Sequence, residues 1–161
     1  MRSADRVTSV DVSRNLQLVI SGSYQTWYAW DLISGDSVFE LDGLTGWIND
    51  ISLQPGRQLL SVADESNQIR LWETSHWTLT HNVQLEQVDQ ITALDFSVDG
   101  WTLALGAKNG SVLLWDMITN TLVEAVDVYP HAVTDLKIHP HGDRMITSYD
   151  NGVLRLWSIQ H

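Results

Sequence analysis

The apolar residues of this chain fall in short stretches where they alternate with polar ones at period two. Val10 and Val12, Ile51 and Leu53, Leu94 and Phe96, and Leu136 and Ile138 each share one face of an extended segment. A second apolar run follows each segment: "LQLVISGS", "RQLLSVAD", "WTLALGAK" and "DRMITSYD". A third run then closes on a tryptophan: "TWYAWD", "NQIRLWE", "GSVLLWD" and "GVLRLWS". Turn chemistry separates the runs, with glycine after Pro55, Asp99, His141, Asn109 and Asn151. Such pairs tolerate positive φ and suit tight hairpins. With no helical periodicity, the pattern predicts an all-β chain.

The closing tryptophans, Trp30, Trp72, Trp115 and Trp157, are 42, 43 and 42 residues apart. Each of the first three is followed by a fourth run: "DSVFELDG", "WTLTHNVQL" and "NTLVEAVDV". Four short antiparallel strands per repeat, the third ending in Trp-Asp, resemble the WD-repeat β-propeller family over about residues 6–158. The boundaries expected are 6–43, 46–86, 89–128 and 131–158, the last blade lacking its outer strand.

The resemblance has gaps. The dipeptide is Trp-Asp at Trp30 and Trp115, Trp-Glu at Trp72 and Trp-Ser at Trp157. The family's Gly-His pair is absent from every unit; His131 lies only two residues before Val133. In the family, that His joins a second-strand Ser or Thr, a turn Asp and the tryptophan in a buried hydrogen-bonded set. Here the second-strand position reads Ser21, Ser61, Leu105 and Thr147, and the turn position reads Asn109 and Asn151 in the last two units. The blades are therefore expected to rest on apolar packing. Trp27 and Ala29 fit this, trading one large for one small residue at two core positions at roughly constant volume.

Composition narrows the chemistry. Formal charge is −11, from 9 Lys and Arg against 20 Asp and Glu. Nucleic-acid and membrane binders need a basic face, so neither partner is expected. The absence of cysteine excludes thiolate metal sites and fits a reducing, cytoplasmic setting. No nucleophile elbow, phosphate loop, metalloprotease or dinucleotide motif occurs, so no catalytic residue and no cofactor is expected. His131, His139 and His141 tempt as a metal cluster, but eight residues of strand separate the first two by roughly 26 Å.

Propeller resemblance also implies how loops sort onto two faces. One collects Tyr24, Asp42, Trp47, Asp64, Glu65, Glu86, Asp89, Tyr129, Tyr149 and Asp150; the other collects Arg14, Arg57, His76, Trp77, His139 and His141. Aromatics beside carboxylates suit a basic or neutral protein segment. Tyr24, Trp47, Asp64, Glu65, Tyr129, Tyr149 and Asp150 are the expected contacts of a non-catalytic interaction module. The competing class is an enzyme with a loop-built site, which a mutually oriented acid–base pair in the central channel would support. Four blades are few where the family's rings have about seven, so an open arc with two apolar ends is expected. A homodimer closing an eight-bladed ring, or further blades of a longer chain, would cover them; the stop at "SIQH" favours the latter.

Overall fold

Period-two alternation is realised as strands throughout the computed structural model, which describes residues 3, 5–13, 15–86 and 88–159. The first sheet holds β1 (Ser9–Ser13), β2 (Leu18–Gly22), β3 (Trp27–Asp31) and β4 (Ser37–Leu41). The second holds β5 (Ile48–Leu53), β6 (Leu59–Asp64), β7 (Gln68–Glu73) and β8 (Thr78–Gln84). The third holds β9 (Ile91–Phe96), β10 (Thr102–Ala107), β11 (Ser111–Asp116) and β12 (Thr121–Val128). The fourth has three strands, β13 (Val133–Ile138), β14 (Arg144–Tyr149) and β15 (Leu154–Ser158). All pairings are antiparallel between sequence neighbours, giving an all-β propeller of four blades that does not close into a ring.

The blades pack in chain order through three apolar layers. Ile20, Trp27 and Ala29 of the first meet Ile51, Leu53, Leu60 and Val62 of the second. Ile69 and Leu71 of the second meet Leu94, Phe96, Leu103 and Leu105 of the third. Ala104 and Val112 of the third meet Leu136, Ile138 and Met145 of the fourth. Trp27 is fully buried against Phe39, Trp72 and Trp77, with ring centroids 5.3, 5.9 and 5.3 Å away. Gly22 and Gly106 permit close approach between blades: a Cβ on Gly22 would lie 2.7 Å from Ile48 Cγ2, and one on Gly106 2.5 Å from Val133 Cγ1.

Strand register corrects one expectation. Trp30 and Trp157 sit opposite Val19 and Met145, and their indoles donate to the hydroxyls two residues further along, Ser21 and Thr147, both at 2.9 Å. Trp72 sits opposite Leu60, so the equivalent residue is Val62 and not Ser61. Strand residues alternate faces, and Ser61 Oγ instead donates to the Ser52 carbonyl. The Trp72 indole N–H consequently has no partner. In the third blade, where Leu105 occupies the position, Trp115 donates to Asn120 Oδ1 at 3.2 Å.

The acidic residue after each tryptophan has a local task. Asp31 Oδ1 accepts the amides of Ile33 and Ser34, and Asp116 Oδ1 those of Ile118 and Thr119. Glu73 accepts the amides of Ser75 and His76. Each carboxylate thereby satisfies the donors of the turn into the outer strand. Ser158 ends the last described strand, after which no such turn is described.

Candidate protein-interaction face

The expected contact residues separate into two groups. At the junction of the first two blades, Tyr24 and Trp47 form an isolated bridge, their rings edge to face at 5.1 Å. Tyr24 is exposed and Trp47 half-buried. Trp47 donates its amide to Glu65 Oε2 at 3.0 Å, placing that carboxylate beside the rings. Glu65 also lines a polar groove with Asn67, Asp89, Gln90 and Lys108, which reaches towards the third blade.

The second group lies on the fourth blade. Tyr129 packs edge to face on Tyr149 at 4.8 Å and accepts a hydrogen bond from Asn151 Nδ2. Asp150 is exposed and lies 3.1 Å from His131 Nδ1. The Arg155 guanidinium stands 3.9 Å over the Tyr129 ring, so this aromatic surface already holds a cation of the same chain.

Two of the expected contacts lie beneath the surface. Asp64 is fully buried, pairing with Arg70 and accepting the Ser66 amide at 2.9 Å, so it organises its own turn. Tyr149 is buried in the layer between the third and fourth blades. Alternation assigns a residue to a face of its sheet but not to the surface, because the next blade covers one face. On the opposite side, Trp77 stacks on Phe39 at 4.9 Å and Arg57 lies 3.4 Å over Trp101. Arg14 lies outside the described residues. His139 and His141 have ring centroids 5.0 Å apart, and among the described residues no group of three His, Asp or Glu side chains could hold a metal ion.

Charged groups along the innermost strands escaped the sequence reading. Asp50 Oδ2 accepts the Leu94 amide at 2.7 Å, while its Oδ1 accepts the Ser9 hydroxyl at 2.6 Å. Asp95 Oδ2 accepts the Ile138 amide at 2.7 Å, and its Oδ1 accepts from Lys137 Nζ at 2.8 Å. Burial pushes both carboxyls above their ordinary value despite these donors. Burial pulls Lys137 down, but its bond to Asp95 and the field of Asp95, Asp50 and Asp135 outweigh that, leaving it above its ordinary value. The signal available in the sequence was a carboxylate at a polar position of each of these alternating inner strands.

Comparison with known proteins rests on the same span. The profile of the nucleolar protein 10-like N-terminal β-propeller domain matches residues 8–161. The chain belongs to that family. Its relatives are WD-repeat proteins. The target of rapamycin complex subunit wat1 of Schizosaccharomyces pombe is 26% identical over 143 residues, covering 88% of this chain and 45% of the relative. Autophagy-related protein 16 of Arabidopsis thaliana is 29% identical, covering 83% of this chain and 26% of the relative. The small ribosomal subunit protein RACK1z of the same plant is 23% identical, covering 74% and 41%. The chain thus spans less than half the length of these relatives. In fold, the computationally designed Ika4 protein superposes with a TM-score of 0.82 at 21% identity, covering 99% of this chain and 94% of Ika4.

Proposed function

We propose that the chain is a non-catalytic protein-interaction module that takes a basic or neutral segment along the strip from Tyr24 and Trp47 through Glu65 to Asp89. The observation that carries this reading is the Tyr24–Trp47 pair, whose partly exposed rings stand beside Glu65 at the end of a polar groove that also holds Asp89. An Arg or Lys side chain could lie over a ring while its charge meets Glu65 or Asp89. The net charge of −11 would speed the encounter with a basic partner. Relatives named as a complex subunit and as a ribosomal subunit protein support an assembly role. A cytoplasmic setting belongs to the same reading.

The acid–base pair that would favour an enzyme has a counterpart in Asp95 and Lys137, yet their chemistry points elsewhere. Both Asp95 oxygens are engaged in holding the next blade, and Lys137 is kept protonated by its acidic neighbours. Neither group is poised to remove a proton.

The test is binding of an array of Arg- and Lys-bearing peptides to the chain and to its Tyr24→Ala/Trp47→Ala variant. Binding by the parent, with at least about tenfold weaker binding by the variant, is expected. Unchanged binding by that variant, together with loss on Arg57→Glu, would assign the opposite face and defeat the proposal.

A further inference from the structure

The three junctions between blades share a recurring row of hydrogen bonds, with one member missing at the third, where Ala93 offers no acceptor. Thr8, Asn49 and Thr92 donate to the carbonyls of Ile48, Ile91 and Val133 in the next blade, at 2.7, 2.8 and 2.6 Å. One residue later, Ser9 and Asp50 accept the amides of Ile51 and Leu94, at 3.3 and 2.7 Å. Two residues after that, Asp11, Ser52 and Asp95 accept those of Leu53, Phe96 and Ile138, at 2.6, 3.3 and 2.7 Å. Every partner lies 40 to 44 residues on, one repeat away.

At the open end the same positions continue. The fourth blade carries Thr134 as the donor and Asp135 as the acceptor. Their counterparts on a following blade would be the Val7 carbonyl and the Val10 amide. Asp135 Oδ1 accepts the Leu136 amide at 2.8 Å, as Asp50 Oδ1 accepts that of Ile51, and it is the second oxygen of Asp50 that reaches the next blade. The third position departs from the pattern, since Lys137 stands where the preceding blades carry Asp11, Ser52 and Asp95. Adjacent members of this row come within bonding distance, as Lys137 and Asp95 do at 2.8 Å. In a closed ring the neighbour after Lys137 is Asp11, which is of opposite charge.

Apolar surface matches in the same way. Ile20, Trp27 and Ala29 are fully covered by the second blade, whereas their counterparts Ile146, Leu154 and Leu156 are 42%, 66% and 67% exposed. Ile51 and Leu53 are 3% and 4% exposed beneath the first blade, whereas Val10 and Val12 are 65% and 52% exposed. Contiguous apolar surface of this kind is rarely left open on a soluble molecule.

We infer that a second copy of this chain covers both ends at once. The fourth blade of each copy docks on the first blade of the other and closes a two-fold ring of eight blades. Two heterologous contacts become equivalent under that symmetry, so no apolar end remains. A continuation of the polypeptide could also cover the fourth blade. Any blade would offer the main-chain groups that Thr134 and Asp135 need; the opposite charges of Lys137 and Asp11 are what favour this chain's own first blade.

Sedimentation of the 161-residue chain at high micromolar concentration provides the test. A species of twice 18.2 kDa is expected, with Val12→Glu and Leu156→Glu each reducing it to one chain. Mixing the two variants should restore a two-chain species, since one junction then pairs two intact faces. Val38→Glu on the outer strand should leave the mass unchanged. If a variant loses its β-sheet circular dichroism, Val10→Glu or Leu154→Glu probes the same face. A one-chain parent, a species larger than two chains, or dissociation by Leu156→Glu but not Val12→Glu would overturn the inference.

Discussion

Trp72 carries an indole N–H without a partner, while Trp30 and Trp157 donate theirs to Ser21 and Thr147. The difference traces to Val62, a methyl where those blades carry a hydroxyl. Val62→Thr would supply the missing acceptor at nearly constant volume and is expected to add about 1 kcal/mol in urea unfolding. A loss of stability would mean that the hydroxyl cannot meet the indole. Glu73 offers a second test at this scale. The Ser75 hydroxyl and the amides around it hold its carboxyl down at about 2, from an ordinary 4.5. Its turn therefore gives its full contribution above pH 4.5 and loses it as pH falls through about 2. Asp50 and Asp95 act oppositely: raised by burial, their contribution is complete at low pH and lost as pH rises through their folded values. The stability gap between the parent and Glu73→Gln should thus shrink on acidification, as read by urea midpoints across that range.

Between strands, close approach matters more than any single polar contact. Gly106 lets β9 and β10 receive Val133 and Leu136, and an added Cβ would stand 2.5 Å from one and 3.1 Å from the other. Gly106→Ala needs no unusual φ, so its cost is steric. A loss of about 1–3 kcal/mol is expected in chemical denaturation. Asp95→Ala would remove the acceptor of the Ile138 amide and leave Lys137 without its nearest counter-ion. Both substitutions loosen the fourth blade from the third and leave the first junction as it was.

For the whole molecule, protection should be graded from blade to blade, because each blade touches only its neighbours. The fourth blade has three described strands, and β15 pairs on one side only. Amides of β15 should therefore exchange with solvent before those of β11, which has strands on both sides. Equal protection of the two strands, measured by hydrogen exchange, would contradict this gradient.

Much of the fold was legible in the sequence because its signals are local. Period two, turn pairs such as Asn109-Gly110, and tryptophans one repeat apart each depend on residues close in the chain. Trp27, which the propeller resemblance places in the core by its trade of volume with Ala29, is fully buried. Tertiary structure decided what lies across a junction. Val62, not Ser61, faces Trp72 because the register of β6 on β7 sets which side chains point that way. Asp64 and Tyr149 left the surface because a partner residue and a neighbouring blade cover them. Asp50 and Asp95 became bonds between blades because amides some 43 residues away arrive at their oxygens. A sequence displays its own alternation, but which residues meet across two sheets depends on the twist, register and spacing that packing imposes.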